Sequence, residues 1–278
     1  MSDYCKPLHF IVTRPNNRAD RLVEQLRSLS TLNRPLHATN CPLISIADYF
    51  DLDWHNLESI ELSKFNGVVF ISGNAIENAK IKLSFDNWLK LIQSPLYTVG
   101  RQSADVLRSA LNETSSENNG SDQTTVLTPI KFPQKMNSEG LLAMPELTNI
   151  GGQLWLIVKG LGGRETLKTG LQERGAKVLE LNVYQRKLPD LVAQKQITSY
   201  NQLTPCRPAP FWLITSLQAL DNLWRILKQN PENCQVIVSS DRIAENAVEK
   251  GFKVVAQSLD ATDNQLLQCV KQFIQEFS

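Results

Sequence analysis

Histidine is scarce in this 278-residue chain: His9, His37 and His55 are all it has, and none stands at a metal-ligand spacing. The cysteines Cys5, Cys41, Cys206, Cys234 and Cys269 are odd in number, scattered and without a C-x-x-C pair. That argues against a disulfide framework or a zinc site and suits reduced thiols in the cytoplasm. Long apolar runs are missing too. The first, Leu8 to Val12, is far shorter than a signal h-region or a span of roughly 20 residues, so no secretory or transmembrane segment is expected. Charge of one sign is absent: 29 Lys+Arg face 28 Asp+Glu. A general nucleic-acid or membrane-surface binder would carry a basic excess. Catalytic signatures are also lacking. Gly160-x-Gly162-x-x-Glu165 fails the dinucleotide fingerprint at its third glycine, and neither G-K-[ST] nor G-x-S-x-G occurs.

What is present is ordinary globular material, 42% hydrophobic and 21% charged, in a length that suggests about two domains. Short β-branched or aromatic runs alternate with helical periodicity throughout. Phe10-Ile11-Val12 precedes a helix with Leu22, Val23, Leu26 and Leu29 on one face. Val68 to Ile71 precedes a helix beginning near Asn74, and Tyr97-Thr98-Val99 precedes one with Ala104, Leu107 and Leu111 inward. Leu154 to Val158 is followed by Leu167 and Leu171. Phe211 to Ile214 leads to Leu217, Leu220, Trp224 and Leu227, and Val236-Ile237-Val238 to Ile243, Ala247 and Val248. Strands alternating with longer helices imply βαβ units and parallel sheets, hence an α/β fold. Trp155, Trp212 and Trp224 sit within apolar patterns and are expected in the core.

An internal repeat divides the chain. Ile11-Val12 answers Ile157-Val158, Phe70-Ile71-Ser72 answers Leu213 to Ser216, and Val99-Gly100 answers Val238-Ser239. Ser138 to Leu142 answers Asp263 to Leu267. The offset shrinks along the chain because the first copy carries an extra polar tract, Asn112 to Thr125, which reads as a mobile loop.

In open parallel sheets, ligands sit beyond the carboxyl ends of the strands. The residues at those ends include Thr13-Arg14-Pro15, Ser72-Gly73-Asn74, Gly100, Gly160 to Gly163, Thr215-Ser216 and Ser239 to Arg242. They are small, hydroxyl-bearing or glycine positions with a few basic side chains. Ordinary helix capping is one reading of them; exposed amides and helix N-termini that receive an anion are the other. Tyr184, after the strand Lys177 to Val183, is either a packed residue or a hydroxyl able to donate a proton.

Several pieces, taken in order, resemble the uroporphyrinogen-III synthase family over essentially the full chain. They are Val12 to Pro15, Phe70 to Ala75, Val99-Gly100, Ser138 to Leu142, Gly160 to Leu167, Arg174-Gly175-Ala176, Val183 to Arg186 and Ser240 to Ile243. Leu217 after Thr215-Ser216 and the Asn112 to Thr125 tract depart from the family pattern.

The resemblance implies two similar flavodoxin-like α/β domains, each a parallel sheet flanked by helices, with a ligand cleft between them. One domain is expected at 1–40 and 187–278, the other at 46–183. A two-strand hinge is expected at 40–46 and 184–189. It further implies cyclisation of the linear tetrapyrrole hydroxymethylbilane to uroporphyrinogen III, with inversion of the last ring and loss of water. No metal or organic cofactor is expected. Arg14, Ser72, Asn74, Gly100, Gly162, Gly163, Thr215, Ser216, Ser240 and Arg242 are the expected substrate contacts, and Tyr184 the group assisting hydroxyl departure. The expected setting is a cytoplasmic monomer without nucleic-acid or membrane partners, receiving hydroxymethylbilane from its synthase. Two other readings stay open: a non-catalytic tetrapyrrole-binding or regulatory homologue, and an unrelated two-domain α/β small-molecule binder.

Overall fold

The computed structural model describes residues 7–15, 19–31, 35–49, 65–117, 129–163, 165–201 and 209–276. In chain order the elements begin with β1 (Leu8–Val12), α1 (Asp20–Arg27), β2 (Leu36–Asn40), β3 (Ser45–Asp48), β4 (Gly67–Phe70), α2 (Gly73–Lys82) and α3 (Phe85–Ile92). Then come β5 (Leu96–Thr98), α4 (Arg101–Glu117), β6 (Ile130–Lys131), α5 (Ser138–Leu142), β7 (Leu154–Gly160), α6 (Thr166–Glu173) and β8 (Lys177–Lys187). The chain closes with α7 (Leu191–Asn201), β9 (Phe211–Ile214), α8 (Leu217–Ile226), β10 (Gln235–Val238), α9 (Asp241–Glu249), β11 (Lys253–Gln257) and α10 (Asp263–Glu276).

Two units result. The first comprises Met1–Ile46 and Lys187–Ser278, the second Ala47–Arg186, so the chain changes unit within β3 and at the end of β8. The first unit's sheet has the order β11-β10-β9-β1-β2, every neighbouring pair parallel. Its central strands are apolar at consecutive positions because both faces are covered. Ile11, Trp212, Ile214, Val236 and Val238 pack against Leu220, Leu223, Ile243 and Ala247 of α8 and α9. Phe10, Val12, Leu213 and Ile237 pack the other way, against Leu22 and Leu26 of α1 and Leu266, Val270 and Phe273 of α10.

The second unit's sheet runs β3-β8-β7-β4-β5-β6. Taking β7 as its first strand gives β7, β8, β4, β5 and β6 the same order that β1, β2, β9, β10 and β11 have in the first unit, with β3 added at an edge. The equivalent strands include those paired by the sequence repeat: β1 with β7, β4 with β9, β5 with β10. On one face Val69, Tyr97, Trp155 and Ile157 meet Leu141, Leu167 and Leu171 of α5 and α6. On the other, the Phe70 and Trp88 rings lie 6.1 Å apart.

Three sequence expectations are corrected. Asn112 to Glu117 are not loop but the last turns of α4. There Thr114 is buried, accepts from the Trp88 indole N–H at 2.9 Å and donates to the Ala110 carbonyl at 2.8 Å, which draws polar residues into the helix. The remainder of that tract, from 118 on, lies outside the described residues. Val248 is exposed, because Ile243 and Ala247 already fill the inward stripe of α9. Trp155 and Trp212 are core, but Trp224 is only partly buried and is covered by the Lys250 ammonium, 4.4 Å from its ring.

Gly67 opposes Trp155 in the β4–β7 ladder, and a Cβ built there would lie 2.3 Å from the indole. No flexible group can yield. Gly67→Ala is therefore expected to cost about 1–3 kcal/mol by overpacking, read as a lower urea midpoint at unchanged slope. An unchanged midpoint would show that the ring repacks freely.

Candidate functional site

Parallel pairing brings the carboxyl ends of β1, β2, β9, β10 and β11 to one edge of the first sheet, and those of β4 to β8 to one edge of the second. In the second unit that edge carries Ser72 beyond β4, Gly100 beyond β5, the 160–163 turn at the end of β7, and Tyr184 on β8. In the first it carries Arg14 beyond β1, Thr215 and Ser216 beyond β9, and Ser240 and Arg242 beyond β10.

The hydroxyls do cap helices. Ser72 Oγ accepts from Ala75 N–H at 3.2 Å, Ser216 Oγ from Ala219 N–H at 3.2 Å, and Ser240 Oγ from Ile243 N–H at 3.4 Å. All three have extended backbone, as N-caps require. Capping satisfies one amide of each helix, while the first amides keep no intrahelical acceptor and point past the strand ends. The two readings of these serines are thus compatible. Asn74 is buried in the first turn of α2, its carbonyl accepting from Asn78. The Gly100 carbonyl accepts from Ala104 N–H and Thr98 Oγ1, which starts α4.

Tyr184 lies inside β8, not after it. The β7–β8 register runs Lys159 to Asn182 and then Gly160 to Tyr184, so Val183 is an extra, bulged residue. The bulge lets consecutive residues, Val183 and Tyr184, both be buried, the tyrosine at 2% exposure. Its ring lies over Gly160, where a Cβ would meet Cζ at 2.5 Å. Its hydroxyl is 3.2 Å from Ser72 Oγ, and its carbonyl accepts from Leu161 N–H at 2.7 Å. Gly162 and Gly163 follow with φ of +77° and +97°, exposed and with open space at each Cβ position. Side chains rarely adopt that backbone. Arg164 lies outside the described residues.

Of the two arginines expected at the site, Arg14 donates within its own unit to the Asp263 carboxylate and the Ala261 carbonyl, 249 and 247 residues away in sequence. Arg242 is exposed. Sequence reasoning missed an ionic cluster beside the glycine turn. Lys159 Nζ, its side chain 10% exposed, lies 2.6 Å from Glu180 and 3.3 Å from Glu165, and Lys168 Nζ lies 2.8 Å from Glu180. Lys159 and Glu165 stand just before and after the turn and brace it. Burial pushes the Glu180 carboxyl up, but hydrogen bonds from Lys159 and Lys168 outweigh it and hold the group below its ordinary range. The bond to Glu180 raises Lys168. Burial also pushes the thiols up, Cys41 to about 11 and Cys234 to about 12, which makes them poor nucleophiles.

The chain matches the family model described as Uroporphyrinogen-III synthase HemD over residues 11–268. Uroporphyrinogen-III synthases of Salmonella typhimurium and of Escherichia coli are each 27% identical over 272 residues, covering 95% of this chain and all of theirs. Among solved structures, uroporphyrinogen-III synthetase from Helicobacter pylori superposes with a TM-score of 0.60 at 15% identity. That match covers 97% of this chain and 99% of the other, a likeness of fold.

The ionic cluster sets a pH window. A carboxyl held below its unfolded value stabilises the fold above that value, near 4.3, and the contribution disappears as pH falls through the lower folded value. Raised Lys168 contributes below its unfolded value, near 10.4, and loses it as pH rises through the higher folded one. Glu180→Gln, which deprives a nearly buried ammonium of its strongest acceptor, is expected to cost about 1–3 kcal/mol at pH 7. Its melting temperature should approach that of the parent below pH 4. A constant difference across that range would show that Glu180 acts through packing.

Proposed function

The chain belongs to the uroporphyrinogen-III synthase family, and from that premise we propose how its own residues turn over hydroxymethylbilane. The enzyme is a cyclising lyase of porphyrin biosynthesis. Hydroxymethylbilane loses its hydroxyl as water and leaves an azafulvene cation. The last pyrrole attacks through its substituted carbon, and the spiro intermediate fragments, recombines and loses a proton. The substrate also closes unaided to the wrong isomer, so the enzyme must direct as well as accelerate.

The observation that carries the residue-level reading is the chemistry of the two sheet edges: serine-capped helix starts and glycine amides, which are neutral donors. Such groups suit the carboxylates of a polyanionic tetrapyrrole. The helix start that Ser72 caps, with Asn74, Gly100, Gly162 and Gly163, and likewise Thr215, Ser216, Ser240 and Arg242, provide the contacts. Arg14 serves indirectly, by tying the end of β1 to the start of α10. Tyr184 supplies the proton with which the hydroxyl departs. A hundredfold preference between closures needs only about 2.7 kcal/mol of differential barrier, which orientation by several fixed donors supplies. The strand crossings at 40–46 and 184–189 serve as hinges in this scheme.

Among the described residues, no helix is long and apolar enough to cross a membrane. The reading extends to a cytoplasmic monomer that takes hydroxymethylbilane directly from its synthase, since a substrate that closes unaided rewards a short path between enzymes.

The test feeds hydroxymethylbilane to the purified protein and resolves the product isomers. Isomer III is expected; isomer I alone, at the uncatalysed rate, overturns the reading, and tight binding without isomer III identifies a non-catalytic homologue. In Tyr184→Phe, kcat should fall about tenfold, below the range typical of a positioned acid because the azafulvene forms readily, with isomer III still the main product.

A further inference from the structure

Tyr184 is 2% exposed, yet the reaction requires a proton at a substrate atom. The hydroxyl that does reach the sheet edge beside it is that of Ser72, partly exposed at the end of β4. Ser72 Oγ lies 3.2 Å from the Tyr184 hydroxyl and 3.2 Å from Ala75 N–H. A serine oxygen has two lone pairs and one proton. The Ala75 amide can only donate, so it takes one lone pair. With the Tyr184 hydroxyl donating to the other, the serine proton is turned away from both neighbours, toward the sheet edge. The opposite orientation would spend the serine proton on a buried phenol and leave the tyrosine proton without access to a ligand.

We propose that Ser72 is the catalytic residue that meets the departing hydroxyl, and that Tyr184 is a positioning residue and proton reservoir behind it. This deepens the functional reading above and rests on it. In the first step the substrate C–O bond breaks. The Ser72 proton passes to the leaving oxygen, which departs as water, and the Tyr184 proton passes to Ser72 Oγ. The substrate becomes the azafulvene cation and Tyr184 a phenolate. When the recombined ring system loses its proton, that proton returns through Ser72 to the phenolate, so the pair ends as it began. The N-terminus of α2, which Ser72 caps, favours the negative charge that passes through the pair. Gly160 and the bulge at Val183 hold the tyrosine against the serine: any side chain at 160 would displace the ring.

Steady-state kinetics and isomer analysis with hydroxymethylbilane test the proposal, using Ser72→Asn, Ser72→Thr, Tyr184→Phe and the Ser72→Asn/Tyr184→Phe pair. Asparagine caps a helix as serine does but has no hydroxyl, so folding is preserved while the relay is cut. Expected is a kcat about tenfold below the parent with KM within about twofold, matching the loss in Tyr184→Phe. Ser72→Thr should recover kcat to within a few fold of the parent. The double variant should lose no more than the worse single one, as members of one proton path do. The proposal is overturned if Ser72→Asn keeps the parent kcat, which reduces the serine to a cap. It is equally overturned if KM rises at constant kcat, which makes it a carboxylate contact, or if the two losses multiply. Failure of the functional reading is separate and visible first, as a parent that makes only isomer I.

Discussion

Parallel strand pairing constrains the rest of this molecule. A parallel sheet needs a crossover after every strand, and the crossing helices cover both faces. Phe10 and Ile11, neighbours on β1, therefore bury into opposite cores, and neither face of that sheet is left for a ligand. Chemistry is confined to the strand ends. Each helix that follows a strand must start there, and each start leaves backbone donors that a short hydroxyl side chain can satisfy only in part. An edge of unsatisfied backbone donors follows from the topology, and the sequence has only to keep those positions small.

The same constraint explains why the second unit keeps the strand order of the first although the chain enters it at a different strand. The repeat aligns β7 with β1 and β4 with β9, so each sheet is built around equivalent central strands, whichever comes first in the chain. Strand-end residues then fall in equivalent places: Ser72 and Ser216 occupy the same N-cap, one beyond β4 and one beyond β9, with the same bond to the third amide of the helix. Among the described residues, the second unit alone sets a tyrosine against that serine, which makes otherwise equivalent edges chemically unequal.

Legibility in the sequence followed burial. β1, β4, β5, β7, β9 and β10, interior to their sheets, announce themselves as continuous apolar runs. The edge strands β2, β11, β3 and β6 do not, because a strand such as Leu36–Asn40 or Ile130–Lys131 has one neighbour and much of its length half-buried. At the sheet edges, the capping serines were legible from their local pattern. What was not legible depends on distant partners or on a single extra residue. Arg14 resembles a free cation until Asp263 is brought beside it, Lys159 until Glu180 is. Tyr184 reads as a strand-end side chain until the bulge at Val183 turns it inward onto Gly160.

Those paired cations alter the meaning of the near-balance of 29 basic and 28 acidic residues. Two of the basic groups nearest the strand ends, Arg14 and Lys159, are neutralised by carboxylates of their own unit. A free cation attracts an anion from any direction and over roughly a Debye length, about 8 Å at physiological ionic strength. A helix amide acts only along its N–H vector, contributing about 0.3–1 kcal/mol when exposed. For a polyanion whose unaided closure gives the wrong isomer, strong undirected attraction would hold every conformer equally and leave the two barriers unchanged. Several weak, directional donors discriminate between conformers, and a difference of about 2.7 kcal/mol already amounts to a hundredfold choice. On the proposed mechanism, then, pairing off Arg14 and Lys159 is part of the selectivity. It leaves Arg242 and the directional amides at the strand ends to decide which fold of the substrate is held.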